Sequence, residues 1–212
     1  MCGLSALFAP AGAELGGAIR AMTDAVRHRG PDDSGTWVDA EAAVALGYRR
    51  LAVVDPSPAG HQPMVSRCGR YALVYNGEIY NFEELRSKLH QCGLRFRGHS
   101  DSEVLLEACA EWGLDSTVRQ LLGMFAFALW DRRQRTLALV RDRLGIKPFH
   151  YWIGIDGTLA FASELKALLD WVPNRTVNAS LARQFLAWNL LDHIPDQTML
   201  ADIQRLPAAH YL

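Results

Sequence analysis

The chain has 212 residues, of which 50% are apolar and 21% charged, a composition typical of globular proteins. Its length suits one sizeable domain with an appendage, or at most two small domains. The 22 basic residues nearly balance the 23 acidic ones, so no long-range field would attract nucleic acid or an anionic membrane surface. No basic segment opens a signal peptide and no apolar run is long enough to span a bilayer. We therefore expect a cytoplasmic protein whose partners are recognised through a specific site.

The first half of the chain predicts a strand, a helix and then several short strands. Residues 3–9 form a short apolar run that ends at Pro10, and residues 14–29 carry apolar side chains at helical spacing. Residues 29–35 are rich in turn formers and predict a loop. Strands are expected at residues 36–38, 43–48, 51–54 and 71–75, and their close spacing favours antiparallel pairing.

The second half predicts two helices, a second group of strands and a further helix. The helices are expected at residues 82–92, with Asn81 as a candidate cap, and at 102–112, with Asp101 just outside. Strands follow at residues 124–130, which are apolar on both faces, and at 137–141, 149–153 and 159–162. A helix at 180–191 precedes an extended stretch from 197 to 212. This order indicates an α+β fold with two packed sheets flanked by helices.

Cys2 differs from the other three cysteines, Cys68, Cys92 and Cys109, because of its position. The four form no C-x-x-C pair and have no histidine at ligand spacing, which argues against a zinc site and against a disulfide framework. Removal of Met1 would give Cys2 a free α-amine, whose reference pKa is about 8. That amine could accept the thiol proton, so one residue could supply both nucleophile and base.

Nine motifs recur in order along the chain. They are Met1-Cys2-Gly3, Arg27-His28-Arg29-Gly30-Pro31-Asp32, Arg50-Leu51 with Val54-Asp55, Gly60-His61-Gln62-Pro63-Met64, Asn76-Gly77-Glu78-Ile79-Tyr80-Asn81, Ser100-Asp101-Ser102-Glu103, Gly123-Met124-Phe125-Ala126-Phe127-Ala128, Arg141-Asp142-Arg143-Leu144-Gly145-Ile146-Lys147-Pro148 and Ala162-Ser163-Glu164-Leu165-Lys166-Ala167. Together these motifs resemble class II glutamine amidotransferases, and they are most similar to the amino-terminal half of glutamine-hydrolysing asparagine synthetase. The resemblance implies an N-terminal-nucleophile hydrolase fold, a four-layer α-β-β-α sandwich. It further implies an amidotransferase domain at residues 2–170 and, at 171–212, an extension similar to the linker to a synthetase domain.

The resemblance also implies roles for individual residues. Cys2 would attack the side-chain amide of glutamine and form a thioester. The Asn76 side chain and the Gly77 backbone amide would stabilise the oxyanion, and Arg50 would bind the substrate α-carboxylate. The α-ammonium would be met by Asp101 and Glu78, while Leu51 and Val53 would supply backbone and walls around it. No metal is implied.

Several of these residues have simpler structural explanations. Asn76-Gly77 taken alone would predict a hairpin turn, and a carboxylate at the start of a helix, such as Asp101, is often a cap. Arg49 competes with Arg50, although neighbours on a strand point to opposite faces. Histidines 28, 61 and 99 are expected to be structural, because the N-terminal amine makes a histidine base unnecessary. Residues 141–143 are interpreted as an internal ion-pair loop that supports the pocket.

The sequence predicts a glutaminase that releases ammonia to a synthetase domain or subunit for asparagine formation from aspartate and ATP. It contains no Ser-Gly-Gly-x-Asp-Ser loop, Walker motif or G-x-G-x-x-G turn. We therefore expect no cofactor in this chain, with ATP and Mg confined to the synthetase part, and we expect the chain to be a piece of a longer protein. Alternatives are an amidotransferase serving an antibiotic, polysaccharide or amino-sugar pathway, and an inactive glutamine-binding module. The oligomeric state stays open, a homodimer included.

Overall fold

Two antiparallel sheets form the centre of the structure, a computed structural model that describes residues 1–10, 13–53, 55–191 and 193–212. The strands are β1 (Gly3–Phe8), β2 (Asp33–Asp39), β3 (Val44–Arg50), β4 (Met64–Val65), β5 (Tyr71–Ile79), β6 (Gly123–Asp131), β7 (Thr136–Arg141), β8 (His150–Ile153), β9 (Leu159–Ala162) and β10 (Gln204–Arg205). The six-stranded sheet has the order β10-β8-β9-β1-β3-β2 and the four-stranded sheet the order β4-β5-β6-β7. The predicted antiparallel pairing is confirmed.

Helices cover the outer face of each sheet. Helix α1 (Leu15–Ala25) packs on the six-stranded sheet, whereas α2 (Phe82–Gln91), α3 (Asp101–Trp112) and α4 (Leu114–Gln120) pack on the four-stranded sheet. Helix α5 (Ala179–Trp188) buries Leu181. A third apolar cluster lies between the two sheets. The predicted four-layer α-β-β-α sandwich is therefore confirmed.

Strand β6 shows why its sequence is apolar on both faces. Alternate side chains of a strand point to opposite sides of the sheet. Its large odd-numbered residues pack under the helices, and its even-numbered residues pack between the sheets; the two sets are Phe125, Phe127 and Leu129, and Ala126, Ala128 and Trp130. Strand β5 alternates in the same way, with Leu73 and Tyr75 under the helices and Ala72 and Val74 between the sheets.

The strand predicted at residues 51–54 is wrong over residues 51–53, and residue 54 lies outside the described residues. Strand β3 instead continues through Arg50, where it pairs with Asp33 of β2. Beyond it the backbone amides are taken by side chains, since Leu51 N–H donates to Cys2 Sγ and Ala52 N–H donates to Asp32 Oδ2 at 2.8 Å. The predicted loop at 29–35 is correspondingly shorter, because β2 begins at Asp33.

Several helices also differ from prediction, among them α5, which ends at Trp188 rather than at residue 191. The helix expected at 14–29 divides into α1 and a short 3-10 turn at Arg27–Arg29. Asp101 is the first residue of α3, whose cap is Ser100, and α4 was not predicted. Helix α4 begins after Gly113, whose φ of +81° is readily adopted by glycine. None of the helices in the described ranges is long and apolar enough to cross a membrane.

The final residues pack onto both sheets. Strand β10 pairs with β8, and Leu206 is buried between the sheets. Leu212 exchanges two backbone hydrogen bonds of 2.9 Å with Leu139 of β7. The segment thus joins the two sheets along one side, while the predicted domain boundary after residue 170 stays a prediction.

Candidate active site

A cavity of about 220 Å³ opens at one end of the space between the sheets. The eight residues to which the sequence assigned a role all line it: Cys2, Arg50, Leu51, Val53, Asn76, Gly77, Glu78 and Asp101. The structure therefore brings together segments that lie up to 99 positions apart in the sequence.

Strand alternation accounts for this convergence. Leu4 on β1, Tyr48 on β3 and Val74 on β5 all face the space between the sheets. Two positions along each strand the side chain returns to the same face. Cys2, Arg50 and Asn76 stand at those positions, and all three line the cavity.

Cys2 is held through both its thiol and its carbonyl. The sulfur accepts a hydrogen bond from Leu51 N–H at 3.3 Å and lies 3.6 Å from Leu51 O. The Cys2 carbonyl accepts a hydrogen bond from Arg29 Nε at 2.9 Å, and Arg29 is itself paired with Glu164 at 2.9 Å. These contacts fix the position of the thiol at the cavity wall before any substrate is bound.

Tyr48 lies beside Cys2 and is 3% exposed. Burial raises the pKa of its phenol well above the usual value, and the nearby Cys2 sulfur raises it further. Both effects disfavour the phenolate. Tyr48 therefore presents a neutral hydroxyl to the site near neutral pH.

Arg50 is the arginine that enters the cavity. Its Nη1 donates to the Ser57 carbonyl at 2.9 Å, and its Nη2 donates to the Asp55 carbonyl. A Cβ at Gly60 would lie 2.0 Å from Arg50 Nη2, so a larger residue there would displace the guanidinium. With five N–H donors, an arginine that makes these two bonds still has donors for a carboxylate.

Arg49 points to the opposite face of β3. Its Nη2 pairs with Asp24 of α1, and its Nε donates to the Thr23 carbonyl at 3.3 Å. The geometric prediction that only one of the two arginines reaches the pocket is confirmed.

Asp101 is held at the start of α3 by groups from β5. Its Oδ2 accepts hydrogen bonds from the Tyr75 hydroxyl at 2.5 Å and from Ile79 N–H at 3.0 Å. Burial raises the pKa of the Asp101 carboxyl, although these bonds act in the opposite direction. Ser100 Oγ accepts the capping bond from Glu103 N–H, so the capping explanation does not account for the position of Asp101.

Asn76 and Gly77 lie in the interior of β5 rather than in a hairpin turn. They pair with Ala126 and Phe125 of β6, and the strand continues to Ile79. A Cβ at Gly77 would lie 2.4 Å from the Met124 carbonyl, so the strand packing there requires glycine. Asn76 is 2% exposed, and its Nδ2 is buried without a hydrogen-bond partner among the described residues. A buried donor of this kind is costly unless a ligand completes it.

The other predicted binding residues lie at the edge of the cavity. Val53 is 74% exposed and Glu78 is also exposed, whereas Leu51 is half-buried. Leu51 contributes its backbone to the Cys2 contact described above. These positions can meet a ligand that enters from solvent.

Asp55 and Gln62 line the cavity but were assigned no role from the sequence. The Asp55 carboxylate accepts hydrogen bonds from Ser57 N–H at 2.9 Å and His99 N–H at 2.8 Å. Hydrogen bonding, first with Ser57, lowers its pKa to about 2. Gln62 Oε1 accepts Tyr75 N–H at 2.7 Å. Both residues fix the loop whose carbonyls hold Arg50. Both also belong to the nine motifs, which is the feature of the sequence that could have pointed to them.

In the loop at 141–147, the side chains of Arg141 and Asp142 hydrogen-bond to backbone groups. The Asp142 carboxylate accepts four backbone N–H groups, those of Phe125, Leu144, Ile146 and Lys147. Arg141 donates to the carbonyls of Gly145, Lys147 and Leu206. The loop lies beside the cavity, because Lys147 lines it, and its supporting role stays a prediction.

The three histidines lie away from the described cavity lining. His28 contacts Glu164 at 2.9 Å, His61 contacts Asp33 at 2.7 Å, and His99 donates its backbone N–H to Asp55. The side chains of His28 and His61 are 53% and 50% exposed. This placement agrees with the structural interpretation made from the sequence.

Comparison with known proteins identifies the family. The family model described as "Glutamine amidotransferase domain" matches residues 1–212. A putative glutamine-hydrolysing asparagine synthetase of Mycobacterium tuberculosis is 41% identical over 97% of this chain and 34% of its own length. Asparagine synthetase [glutamine-hydrolyzing] 3 of Bacillus subtilis is 47% identical over 70% of this chain and 24% of its own length. The chain thus spans about a third or less of these relatives.

A solved structure supports the fold. Glutamine phosphoribosylpyrophosphate amidotransferase from B. subtilis, complexed with ADP and GMP, aligns with a TM-score of 0.67 at 20% identity. The alignment covers 79% of this chain and 43% of that chain. From the family match, these relatives and the shared fold it follows that the chain belongs to the glutamine amidotransferase domain family and is homologous to part of the glutamine-hydrolysing asparagine synthetases.

Proposed function

We propose that this domain hydrolyses glutamine to glutamate and ammonia through a thioester on Cys2, once Met1 has been removed. The observation that carries this proposal is the meeting in one cavity of the Cys2 thiol, the unpartnered Asn76 amide and the Arg50 guanidinium. Nucleophile, oxyanion donor and carboxylate clamp are the groups that acyl transfer from an amino-acid amide requires.

The free α-amine of Cys2 acts as the base. It accepts the thiol proton as Sγ attacks the side-chain carbonyl carbon of glutamine. The same proton passes to the departing nitrogen, which leaves as ammonia when the C–N bond breaks. Water then attacks the thioester, and glutamate and the free thiol are released.

The negative charge of each tetrahedral intermediate falls on the former amide oxygen. The Asn76 side chain and the Gly77 N–H stabilise it, and the buried state of Asn76 supports this role because a donor in a dry site acts more strongly than in water. The Asn76 amide needs no partner from the protein if the oxyanion is its partner.

The opposite end of the substrate is held by charge. Arg50 binds the α-carboxylate, and Asp101 with Glu78 binds the α-ammonium. Leu51 and Val53 contact the remaining part of glutamine. The network around Arg50 and Asp101 supports this assignment, because both side chains are held in place by protein groups.

Ammonia would pass to a synthetase domain or subunit that forms asparagine from aspartate and ATP. The homology to asparagine synthetases favours this acceptor. The glutaminase steps require no cofactor, and we expect ATP and Mg to bind only to the synthetase part.

The experiment is a glutamate-release assay on purified chain whose intact mass shows that Met1 is absent. We expect turnover of glutamine by the processed chain and loss of turnover in Cys2→Ala, with a fall of at least about 10³-fold. Cys92→Ala is the matched control, because Cys92 is a free, exposed cysteine outside the cavity. Activity retained in Cys2→Ala, or lost equally in Cys92→Ala, would contradict the proposal.

A further inference from the structure

Lys147 places a buried ammonium beside the reaction centre, a feature that the proposed mechanism does not use. The residue is 5% exposed and lines the same cavity as Cys2. Its Nζ donates to Met1 Sδ at 3.7 Å. A thioether is a weak acceptor, so this contact compensates little of the cost of burying the charge.

The backbone around Lys147 is held from two sides. Its N–H donates to Asp142 Oδ2 at 3.0 Å, and its carbonyl accepts Arg141 Nε at 2.8 Å. The same Asp142 oxygen accepts Phe125 N–H at 3.2 Å, and Phe125 pairs with Gly77. Asp142 therefore ties the position of Lys147 to the strand pair that carries the candidate oxyanion donors.

Removal of Met1 changes the surroundings of this ammonium. Met1 is joined directly to the Cys2 nitrogen, and Met1, Cys2 and Lys147 line the same cavity, with Lys147 Nζ in contact with the Met1 thioether. Processing removes the thioether and creates an ionisable amine in the same part of the cavity. Two cations close together repel each other, which favours the neutral form of the amine.

We propose that Lys147 keeps the α-amine of processed Cys2 in its neutral, proton-accepting form, and so acts as a positioning residue for the catalytic base. The inference rests on the proposed function, because it concerns the base of that reaction. Lys147 itself takes no part in the proton transfer. Because it keeps the amine neutral, it would extend activity to lower pH.

Other charges also face the amine, and they must be weighed with Lys147. Three carboxylates line the same cavity: Asp55 in the loop after β3, Glu78 on β5 and Asp101 on α3. Arg29, from the 3-10 turn before β2, donates to the Cys2 carbonyl. The charged and titratable groups are Arg29, Tyr48, Arg50, Asp55, Tyr75, Glu78, Asp101 and Lys147. Asp101 accepts hydrogen bonds from β5 and Asp55 from loop amides, whereas Lys147 donates to Met1.

The first test is the pH dependence of kcat/KM for glutamine in Lys147→Met and Lys147→Arg. Loss of the cation should move the acid limb to higher pH by about 0.5–1.5 units, the range given by a unit charge several ångströms away at intermediate dielectric. Lys147→Arg should keep the original limb. Lys88→Met is the matched control, because Lys88 pairs with Glu84 on α2, and it should leave the profile unchanged.

The second test does not depend on turnover. In a Cys2→Ser background, which keeps the α-amine and removes the thiol, the rate of N-terminal acetylation is followed against pH by mass spectrometry. Lys147→Met should shift this curve to higher pH by the same amount. An unmoved curve in a folded Lys147→Met protein would overturn the proposal, as would Lys147→Arg behaving like Lys147→Met. Absent glutaminase activity would refute the proposed function alone, since acetylation would still report on the amine.

Discussion

The two ends of the cavity differ in how far the protein itself satisfies their polar groups. At the recognition end, Arg50 donates to two loop carbonyls and Asp101 accepts from Tyr75 and Ile79. At the reaction end, Asn76 Nδ2 has no partner among the described residues, and the Lys147 ammonium donates to the Met1 thioether. Arg50 and Asp101 are thus held by protein groups before any ligand binds, whereas in the proposed mechanism the oxyanion completes the hydrogen bonding of Asn76.

This difference has a physical consequence for substitutions. A residue with many protein partners supports both folding and binding, so replacing it should change stability as well as KM. A buried donor that waits for the oxyanion contributes chiefly in the transition state, so its loss should lower kcat. Variants at each end of the cavity test this difference.

The largest expected effect is at the reaction end, in Asn76→Ala. We expect kcat for glutamine hydrolysis to fall by about 10²–10³-fold with little change in KM, because one oxyanion donor is removed. The free energy of unfolding should not fall through a lost Nδ2 hydrogen bond, because Nδ2 makes no hydrogen bond with the described residues. Steady-state kinetics and urea unfolding check both points, with Asn174→Ala, an exposed asparagine, as control. A change confined to KM would remove the distinction between the two ends.

A smaller effect is expected at the recognition end, in Arg50→Lys. Lysine keeps the charge but loses the planar paired donors, so kcat/KM should fall about 10–100-fold, mainly through KM. Arg49→Lys, one position earlier, should be nearly neutral because Arg49 pairs with the exposed Asp24 on the other face. Equal effects of the two substitutions would show that strand alternation does not select Arg50.

The smallest effect is a pH-dependent loss of stability in Asp55→Asn. The folded pKa of Asp55 is lowered from 3.8 to about 2, so its contribution is present above pH about 4 and lost as pH falls towards 2. We expect the variant to lose about 1–2 kcal/mol at pH 7 and progressively less at pH 3. Urea unfolding at both values checks this, with the exposed Asp170→Asn as control. A difference that does not shrink at low pH would contradict the assigned cause.

Much of the fold could be predicted from the sequence because its signals are local and strong. The apolar run of β6 and the helical spacing of α3 gave those elements within one residue at each end. Residues 51–53 were mistaken for a strand because their apolar character was visible, whereas the capture of the Leu51 and Ala52 amides by Cys2 and Asp32 was not. Leu51 lies 49 positions from Cys2, and Ala52 lies 20 positions from Asp32. No local sequence pattern reports contacts over such separations.

In the candidate site, too, some features could be predicted from the sequence and others depend on long-range packing. Seven of the eight predicted residues belong to the nine motifs, with Val53 as the exception, and period-two alternation explains why Arg50 rather than Arg49 enters the cavity. Lys147 belongs to one of the nine motifs, yet its contact with Met1 depends on the hydrogen bonds by which Asp142 holds the loop. The unpartnered state of Asn76 likewise depends on packing between two sheets.

The most direct test of Cys2 as the nucleophile is to label the active chain with a glutamine-analogue electrophile and map the modified peptide. The proposed mechanism predicts one labelled peptide that begins with Cys2 and carries the label on its sulfur, with free glutamine protecting against modification. A label on Cys68, Cys92 or Cys109, or a labelled peptide that still begins with Met1 in active protein, would contradict it.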